Sequence, residues 1–114
     1  MQEQLFTIGS FAKLGQVSVD TLRHYAQLEL LTPAYTEQHN GYRYYQLSQL
    51  MPLERIRELR LFGFSLADIK TMQEKSELTL GLYLERLQAL QTQQQELAQL
   101  ITQLTHKIKE VQHG

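Results

Sequence analysis

Residues 17–25 read VSVDTLRHY, and this stretch decides the fold. Ser18 is a residue type that caps helix N-termini, and Val17 and Leu22 occupy the two positions of a hydrophobic staple around it. The apolar residues that follow keep helical spacing and form one face: Val19, Leu22 and Ala26. The stretch therefore predicts a helix that begins after Ser18.

A shorter helix is predicted immediately before it. Thr7 is the expected N-cap, and Gly15 is expected to end the helix in the left-handed conformation that glycine adopts at little cost. Its predicted inward face consists of Ile8, Phe11, Ala12 and Leu14. Two short helices joined by a tight turn containing glycine are typical of the helix-turn-helix motif.

Residues 38–45 read QHNGYRYY and predict a small β-hairpin. Asn40 and Gly41 supply the two positive-φ positions of a type I′ turn. Strand alternation divides the following side chains between two faces, Arg43 with Tyr45 and Tyr42 with Tyr44. Because one face must pack on the domain, we expect at least one tyrosine in the core.

Two further helices follow the hairpin. The first, about residues 47–62, is expected to end at Gly63, and the second to begin at Ser65 with Asp68 in a capping-box-like arrangement. Their predicted inward residues are Leu50, Leu53, Ile56 and Leu59, then Leu66, Ile69 and Met72. Three basic residues on the first helix form either a solvated face or a second phosphate contact: Arg55, Arg57 and Arg60.

The last helix carries a sustained heptad seam, with apolar residues at alternating steps of three and four. The seam consists of Leu80, Tyr83, Leu87, Leu90, Gln94, Leu97, Ile101, Leu104, Ile108 and Val111. The polar Gln94 fixes the register or is merely tolerated. The seam needs a partner helix, and a second copy of the chain fits better than an intramolecular partner, because nothing else in the sequence is long enough.

Length and composition exclude several classes of protein. The 114 residues have room for one small domain and an appendage, so a multidomain enzyme is excluded. The absence of cysteine excludes disulfides, thiolate metal sites and cysteine nucleophiles. His106 and Glu110 lie one helical turn apart, but one such pair is not a metal site. We predict no catalytic residues, no metal and no cofactor, and we expect a soluble cytoplasmic protein that does not enter a membrane.

Net charge gives no support for nucleic-acid binding, because 11 Lys+Arg face 12 Asp+Glu. A basic face would have to come from the placement of individual residues rather than from an excess of them.

Several stretches in a fixed order resemble the MerR family of bacterial transcription regulators. They are TIG at 7–9, VSVDTLRHY at 17–25, LLTP at 30–33, NGYRYY at 40–45 and LFGFSLADIK at 61–70. The resemblance implies a mainly α protein, with a winged helix-turn-helix domain whose wing is the β-hairpin, followed by a long C-terminal coiled-coil helix. The predicted domains are residues 1–75 for DNA binding and residues 76–114 for dimerisation.

The resemblance also implies where DNA would be bound. A helix-turn-helix inserts its second helix in a major groove, and the family uses the hairpin on the DNA backbone. The predicted DNA-binding residues are Ser18, Asp20, Thr21, Arg23, His24, Tyr25, Tyr42, Arg43 and Tyr44. Arg23 could instead form a surface salt bridge with Glu29 or another helix residue. His24 could instead be an ordinary surface residue. Tyr25 is at the edge of the core-facing stripe, so its orientation is undecided.

Two positions depart from the expected pattern. Asp20 would repel phosphate, although it could accept a hydrogen bond from cytosine or orient Arg23. Gln46 stands where many relatives have serine or a similar cap before the third helix.

Family members are homodimers joined by an antiparallel coiled coil, and they distort promoter DNA so that RNA polymerase can use it. The expected partners are therefore double-stranded promoter DNA with a pseudo-palindromic operator, a second copy of the chain, and RNA polymerase. Whether a small-molecule effector is also a partner is left open, because the effector-binding region that normally follows the dimerisation helix is not in this sequence. Either a drug-sensing regulator without that region or a naturally short regulator fits. The rival from another class is a coiled-coil adaptor whose small domain binds protein.

Overall fold

The computed structural model describes residues 4–114, and these divide into two compact units between Glu74 and Lys75. The predicted boundary after residue 75 is adjacent to this division. The first unit contains β1 (Leu5–Thr7), α1 (Ile8–Gly15), α2 (Val19–Gln27), β2 (Tyr35–Thr36), β3 (Arg43–Gln46), α3 (Leu50–Leu61) and α4 (Leu66–Glu74). The second contains a 3₁₀ turn (Ser76–Leu78) and α5 (Thr79–His113).

Side-chain caps start the two helices of the helix-turn-helix, as predicted. Thr7 accepts a hydrogen bond at its Oγ1 from the Ser10 backbone N–H at 3.2 Å. Ser18 accepts one at its Oγ from the Thr21 N–H at 3.0 Å. Each cap satisfies an N–H that has no partner within the helix, so it fixes where the helix begins.

The end of α1 differs from the prediction. Gly15 is inside the helix, and the left-handed residue is the next one, Gln16, with φ 58°. Gly15 is needed for a different reason, because a Cβ built on it would lie 2.3 Å from Cδ2 of Leu53. The missing side chain therefore permits α1 and α3 to approach closely.

A three-stranded antiparallel sheet in the order β1-β3-β2 takes the place of the simple hairpin. Strand β1 was not predicted, and it pairs with β3 through Phe6 opposite Tyr45. The predicted type I′ turn is wrong. Gly41 has a positive φ of 73° but Asn40 does not, and the Gly41 N–H reaches back to the Glu37 carbonyl at 2.8 Å. The turn is thus longer than two residues.

The core lies between the sheet and the helices. Phe11 of α1 stacks on Tyr45 of β3, with ring centroids 4.7 Å apart and planes within 9°. Most predicted inward residues are buried, but Leu14 is exposed because the buried face of α1 runs through Phe11, Ala12 and Gly15. The largest fully buried side chains are Tyr45, Phe11, Leu22, Leu53, Ile56 and Ile69.

The third and fourth helices begin with polar caps. Residues 47–49 form a 3₁₀ turn, and α3 proper starts at Leu50, later than predicted. Gln46 precedes this turn in a capping box with Gln49, whose Oε1 accepts from the Gln46 backbone N–H at 2.9 Å. Ser65 caps α4 as predicted, accepting from the Asp68 N–H at 3.0 Å.

Two of the three α3 arginines hold the domain together. Arg57 donates to the Gly15 carbonyl at 3.0 Å, and Arg60 donates to the Phe64 carbonyl at 3.0 Å. Both acceptors lie at or just beyond helix C-termini, where carbonyls lack partners within the helix. The expectation of a purely solvated face therefore holds only for Arg55, which is exposed.

Helix α5 contains 35 residues, and at about 1.5 Å per residue it extends for about 50 Å. None of its residues is buried. Across residues 4–114, no helix has both the length and the apolar character needed to cross a membrane.

The close approach at Gly15 makes a testable prediction. Gly15→Ala should lower the free energy of unfolding by about 1–3 kcal/mol, because the new methyl group overpacks against buried Leu53. Urea denaturation monitored by circular dichroism measures the change.

Gly9→Ala is the matched control, since Gly9 also lies in α1 but has no atom within 4 Å of its would-be Cβ. It should leave stability unchanged or raise it by up to about 1 kcal/mol. Equal effects of the two substitutions would show that Gly15 does not set the distance between α1 and α3.

Candidate nucleic-acid interface

Helix α2 presents a polar face to solvent. Asp20, Arg23 and His24 are exposed, and Thr21 is half-buried. Ser18 is also exposed, and its hydroxyl is occupied in capping the helix. This face has the residue types and the position that a helix-turn-helix offers to a major groove.

Tyr25 is a correction to the predicted set. It faces the domain interior and is 8% exposed, because it belongs to the buried face of α2 together with Leu22. The backbone carbonyl of Tyr25 accepts from the Leu30 N–H at 2.8 Å, which secures the turn after the helix. Tyr25 therefore packs α2 against the domain on the side opposite its exposed polar face.

The wing, formed by β2, β3 and the loop between them, presents its side chains on two faces. Tyr45 is fully buried, while Tyr44 points to the opposite face, where its ring lies 6.1 Å from that of Tyr35. Tyr42 is exposed at the end of the loop, and Asn40 accepts from its N–H at 2.9 Å. The expectation that at least one tyrosine is in the core is confirmed.

One open cavity of about 430 Å³ brings the helix and the wing together. Arg23 of α2 and Arg43 of β3 both line it. The rest of its lining consists of Thr7, Ile8, Gly41, Tyr42 and Tyr44. Thr7 and Ile8 were not predicted as lining residues, because β1 was not predicted and the β1–α1 junction could therefore not be placed beside the wing.

The two arginines of this cavity differ in their surroundings. Arg23 lies 3.6 Å from a carboxylate oxygen of Asp20, measured from Nη1. Arg43 has a buried Nη1 with no hydrogen-bond partner among residues 4–114. A buried donor without an acceptor costs free energy, so an anion or polar ligand that reached Arg43 would be favoured.

A second, shallower depression lies on the other side of α2. It is lined by Asp20, Thr21, His24, Tyr25, Arg60 and Leu66, with a volume of about 310 Å³. This depression adjoins α3 through Arg60 and α4 through Leu66, and it shares no lining residue with the cavity beside the wing.

Tyr45 lies behind Arg43 and shares its environment. Burial raises the pKa of the Tyr45 phenol above its usual 10, and the positive charge of Arg43 partly opposes this rise. The Tyr45 hydroxyl also lacks a partner in the described part of the chain. The inner side of the wing thus holds two polar groups that the domain itself does not satisfy.

The second candidate surface is the seam of α5. Each predicted dimerisation residue is exposed within the single chain, and the apolar ones range from 39% at Tyr83 to 64% at Ile101. The others are Leu87, Leu90, Gln94, Leu97, Leu104 and Ile108. An apolar stripe of this length left in water is typical of an interface.

Fold and surfaces together define a winged helix-turn-helix domain followed by a long helix with an apolar seam. The chain belongs to the MerR HTH family, because the model of that family, described as MerR HTH family regulatory protein, matches residues 6–76.

The chain is similar to the Multidrug-efflux transporter 1 regulator of Bacillus subtilis strain 168, at 37% identity over 95 residues. This match covers 83% of the chain but 32% of the relative, so the chain spans about a third of that protein's length. The match to a named regulator favours the regulator interpretation over that of a coiled-coil adaptor.

Solved structures of regulators have the same fold. The EcmrR–DNA complex in EcmrR-RPo aligns with a TM-score of 0.81 at 32% identity, over 92% of this chain and 39% of that one. HiNmlR, a MerR family regulator lacking the sensor domain and bound to promoter DNA, aligns with a TM-score of 0.65 at 26% identity, over 92% and 88%.

The buried Tyr45 hydroxyl makes a prediction about pH. Because the folded state favours the neutral phenol, Tyr45 contributes stability below pH 10 that is lost as the pH rises through its raised folded pKa. Tyr45→Phe should remove this part of the alkaline loss, and at pH 7 it should keep stability unchanged or raise it by about 1 kcal/mol.

Thermal unfolding between pH 7 and pH 11 measures both effects. Tyr42→Phe is the control, since Tyr42 is exposed. A Tyr45→Phe curve parallel to that of the wild-type protein would show that the hydroxyl does not lie in a desolvating environment.

Proposed function

We propose that this chain is the DNA-binding and dimerising part of a transcription regulator that binds double-stranded promoter DNA as a homodimer. The observation that carries the proposal is the convergence of Arg23 and Arg43, from different elements, on one cavity whose lining contains no acidic side chain.

Two cations on one concave surface favour an anion, and they lie on the two elements, a recognition helix and an adjacent wing, that would contact a duplex. Helix α2 enters the major groove, while Arg43 reaches the flanking phosphates. Arg43 is half-buried, and a phosphate oxygen that contacts the accessible part of its guanidinium forms a charge-assisted hydrogen bond, which is stronger than one between neutral groups. Tyr42 and Tyr44 can donate hydroxyl hydrogen bonds to the same backbone.

Bulk charge contributes little to this binding. With a formal net charge of −1, the protein has weak long-range attraction to DNA. Affinity then depends on a few placed contacts, each duplicated in a dimer. The salt dependence of binding should accordingly be shallow for a DNA-binding protein.

The homodimer forms through the seam of α5. When two copies align antiparallel along the whole seam, each a position of one helix lies opposite a d position of the other. Leu87 then lies opposite Leu104, and Gln94 lies opposite Leu97. Burying the exposed apolar side chains of both helices supplies the driving force. A twofold dimer then presents two α2 helices to two half-sites of a pseudo-palindrome.

The proposal extends to the mechanism of the family. The dimer distorts the promoter between its half-sites at a cost of a few kcal/mol, which contacts from both protomers offset. RNA polymerase is the partner that uses the distorted promoter, and the cytoplasm is the compartment. The DNA-bound relatives support this extension.

Removing Arg43 tests the DNA-binding surface. Arg43→Ala should weaken binding to selected and random duplexes alike by about 10-fold, and it should lower the slope of log affinity against log salt by about 1 for each protomer that loses a phosphate. The probe is a duplex that the wild-type protein selects from a random pool, measured by fluorescence anisotropy across KCl concentrations.

Arg55→Ala is the matched control, since Arg55 is an exposed arginine on α3 outside the cavity lining. It should change affinity less than twofold. Equal losses from the two substitutions would mean that the cavity is not the DNA-binding surface.

Engineered cysteines test the dimer, because the chain has none of its own. Leu87→Cys protein mixed with Leu104→Cys protein should form disulfide-linked heterodimers on mild oxidation, since opposed seam positions lie within disulfide reach. Non-reducing electrophoresis detects the product.

Leu87→Cys alone should remain largely uncrosslinked, whereas a parallel coiled coil would link it efficiently to itself. Gln99→Cys, on the outward side of α5, replaces Leu104→Cys in the control mixture. Self-linking of Leu87→Cys would contradict the antiparallel arrangement.

A further inference from the structure

Asp20 is the only acidic residue of α2, and it lies on the face proposed to meet DNA. Its carboxylate is 3.6 Å from Nη1 of Arg23, one helical turn away. Since phosphates repel a carboxylate, an acid at this position weakens the general attraction that a basic residue there would provide.

Fold stability does not account for Asp20. An acid in the first turn interacts favourably with the helix dipole, and it contributes a modest amount when exposed. The ion pair adds little, because the side chains of Arg23 and Asp20 are 59% and 93% exposed and water screens their attraction. Removing the carboxylate should therefore leave the domain folded.

The same pair becomes important once DNA displaces the water. Arg23 lines the same cavity as Arg43, and the Asp20 carboxylate is the anionic group that lies beside its guanidinium. This attraction draws the guanidinium toward Asp20. An arginine kept in one orientation makes a fixed pattern of hydrogen bonds and is less free to follow random phosphates.

We propose that Asp20 is a specificity-determining residue that positions Arg23 and suppresses non-specific DNA binding. The inference rests on the proposed function. In a selected duplex, the oriented Arg23 meets its partner and offsets the repulsion from Asp20. In other duplexes Arg23 lacks that partner, and the repulsion between the carboxylate and the phosphates remains.

The test compares a duplex selected by the wild-type protein with a random-sequence duplex, by anisotropy over a range of KCl concentrations. Asp20→Asn should strengthen binding to the random duplex about 5-fold to 10-fold and steepen its salt slope by about 1 per protomer. Affinity for the selected duplex should rise less or fall, so that the ratio of the two affinities decreases. Asp20→Glu should retain most of the ratio, because it keeps a carboxylate within reach of Arg23.

Asp68→Asn is the matched control, since Asp68 is likewise an acid in the first turn of a nine-residue helix, α4. It removes the same charge and the same dipole interaction. If it changes the affinity ratio as much as Asp20→Asn does, the effect is one of bulk charge and the proposal is wrong.

The Arg23→Ala background separates positioning from direct reading of a base. In that background, Asp20→Asn should still raise the affinity for the random-sequence duplex. It should no longer reduce the remaining preference for the selected duplex. A loss of preference as large as in the wild-type background would mean that Asp20 reads the DNA itself, which overturns the positioning role. If the wild-type protein selects no duplex at all, the proposed function fails, and the inference fails with it.

Discussion

The stacking of Phe11 on Tyr45 is the interaction on which the helix-turn-helix and the wing both depend. It joins α1, the first helix of the helix-turn-helix, to β3, the central strand of the sheet, with ring centroids 4.7 Å apart. Because both rings are fully buried, their burial also carries a large share of the hydrophobic stabilisation of this small domain. Arg43 is two residues from Tyr45 on the same strand, so the stack sets the position of the wing arginine relative to α2.

The same buried face of α1 shows a second constraint of the same kind, one helical turn further on. Gly15 lets α1 approach Leu53 of α3, and Arg57 of α3 returns to the Gly15 carbonyl. One residue thus provides space for a leucine and an acceptor for an arginine. Helix α1 is thus held through one face, by β3 at Phe11 and by α3 at Gly15, while α2 buries Leu22 and Tyr25 and presents its polar face to solvent.

Local sequence predicted the helices and their caps because the controlling contacts span only three residues, as at Ser18 with Thr21. Local sequence did not predict the features that depend on contacts between residues far apart in the chain. Gly15 was assigned to the left-handed position that Gln16 takes, since the clash with Leu53 involves a residue far along the chain. Strand β1 is too short to show alternation and exists because it pairs with β3. For the candidate site, helical spacing predicted the exposed α2 residues and the resemblance of the hairpin to the family's wing implied Arg43, whereas the burial of Tyr25 depends on packing that periodicity alone left undecided.

The two units are incomplete in complementary ways. The first leaves Arg43 with a buried nitrogen that the described residues do not satisfy, and the second leaves an apolar seam in water over about 50 Å of helix. In the proposed complex, DNA binds at the surface that contains Arg43 and a second copy of α5 covers the apolar seam, so the two surfaces do not compete for one partner. The proposed dimer would make each polar contact twice on a single DNA molecule, where the second contact forms at high effective concentration. A chain with nearly balanced charge can bind DNA in this way without the excess of basic residues that would also bind it indiscriminately.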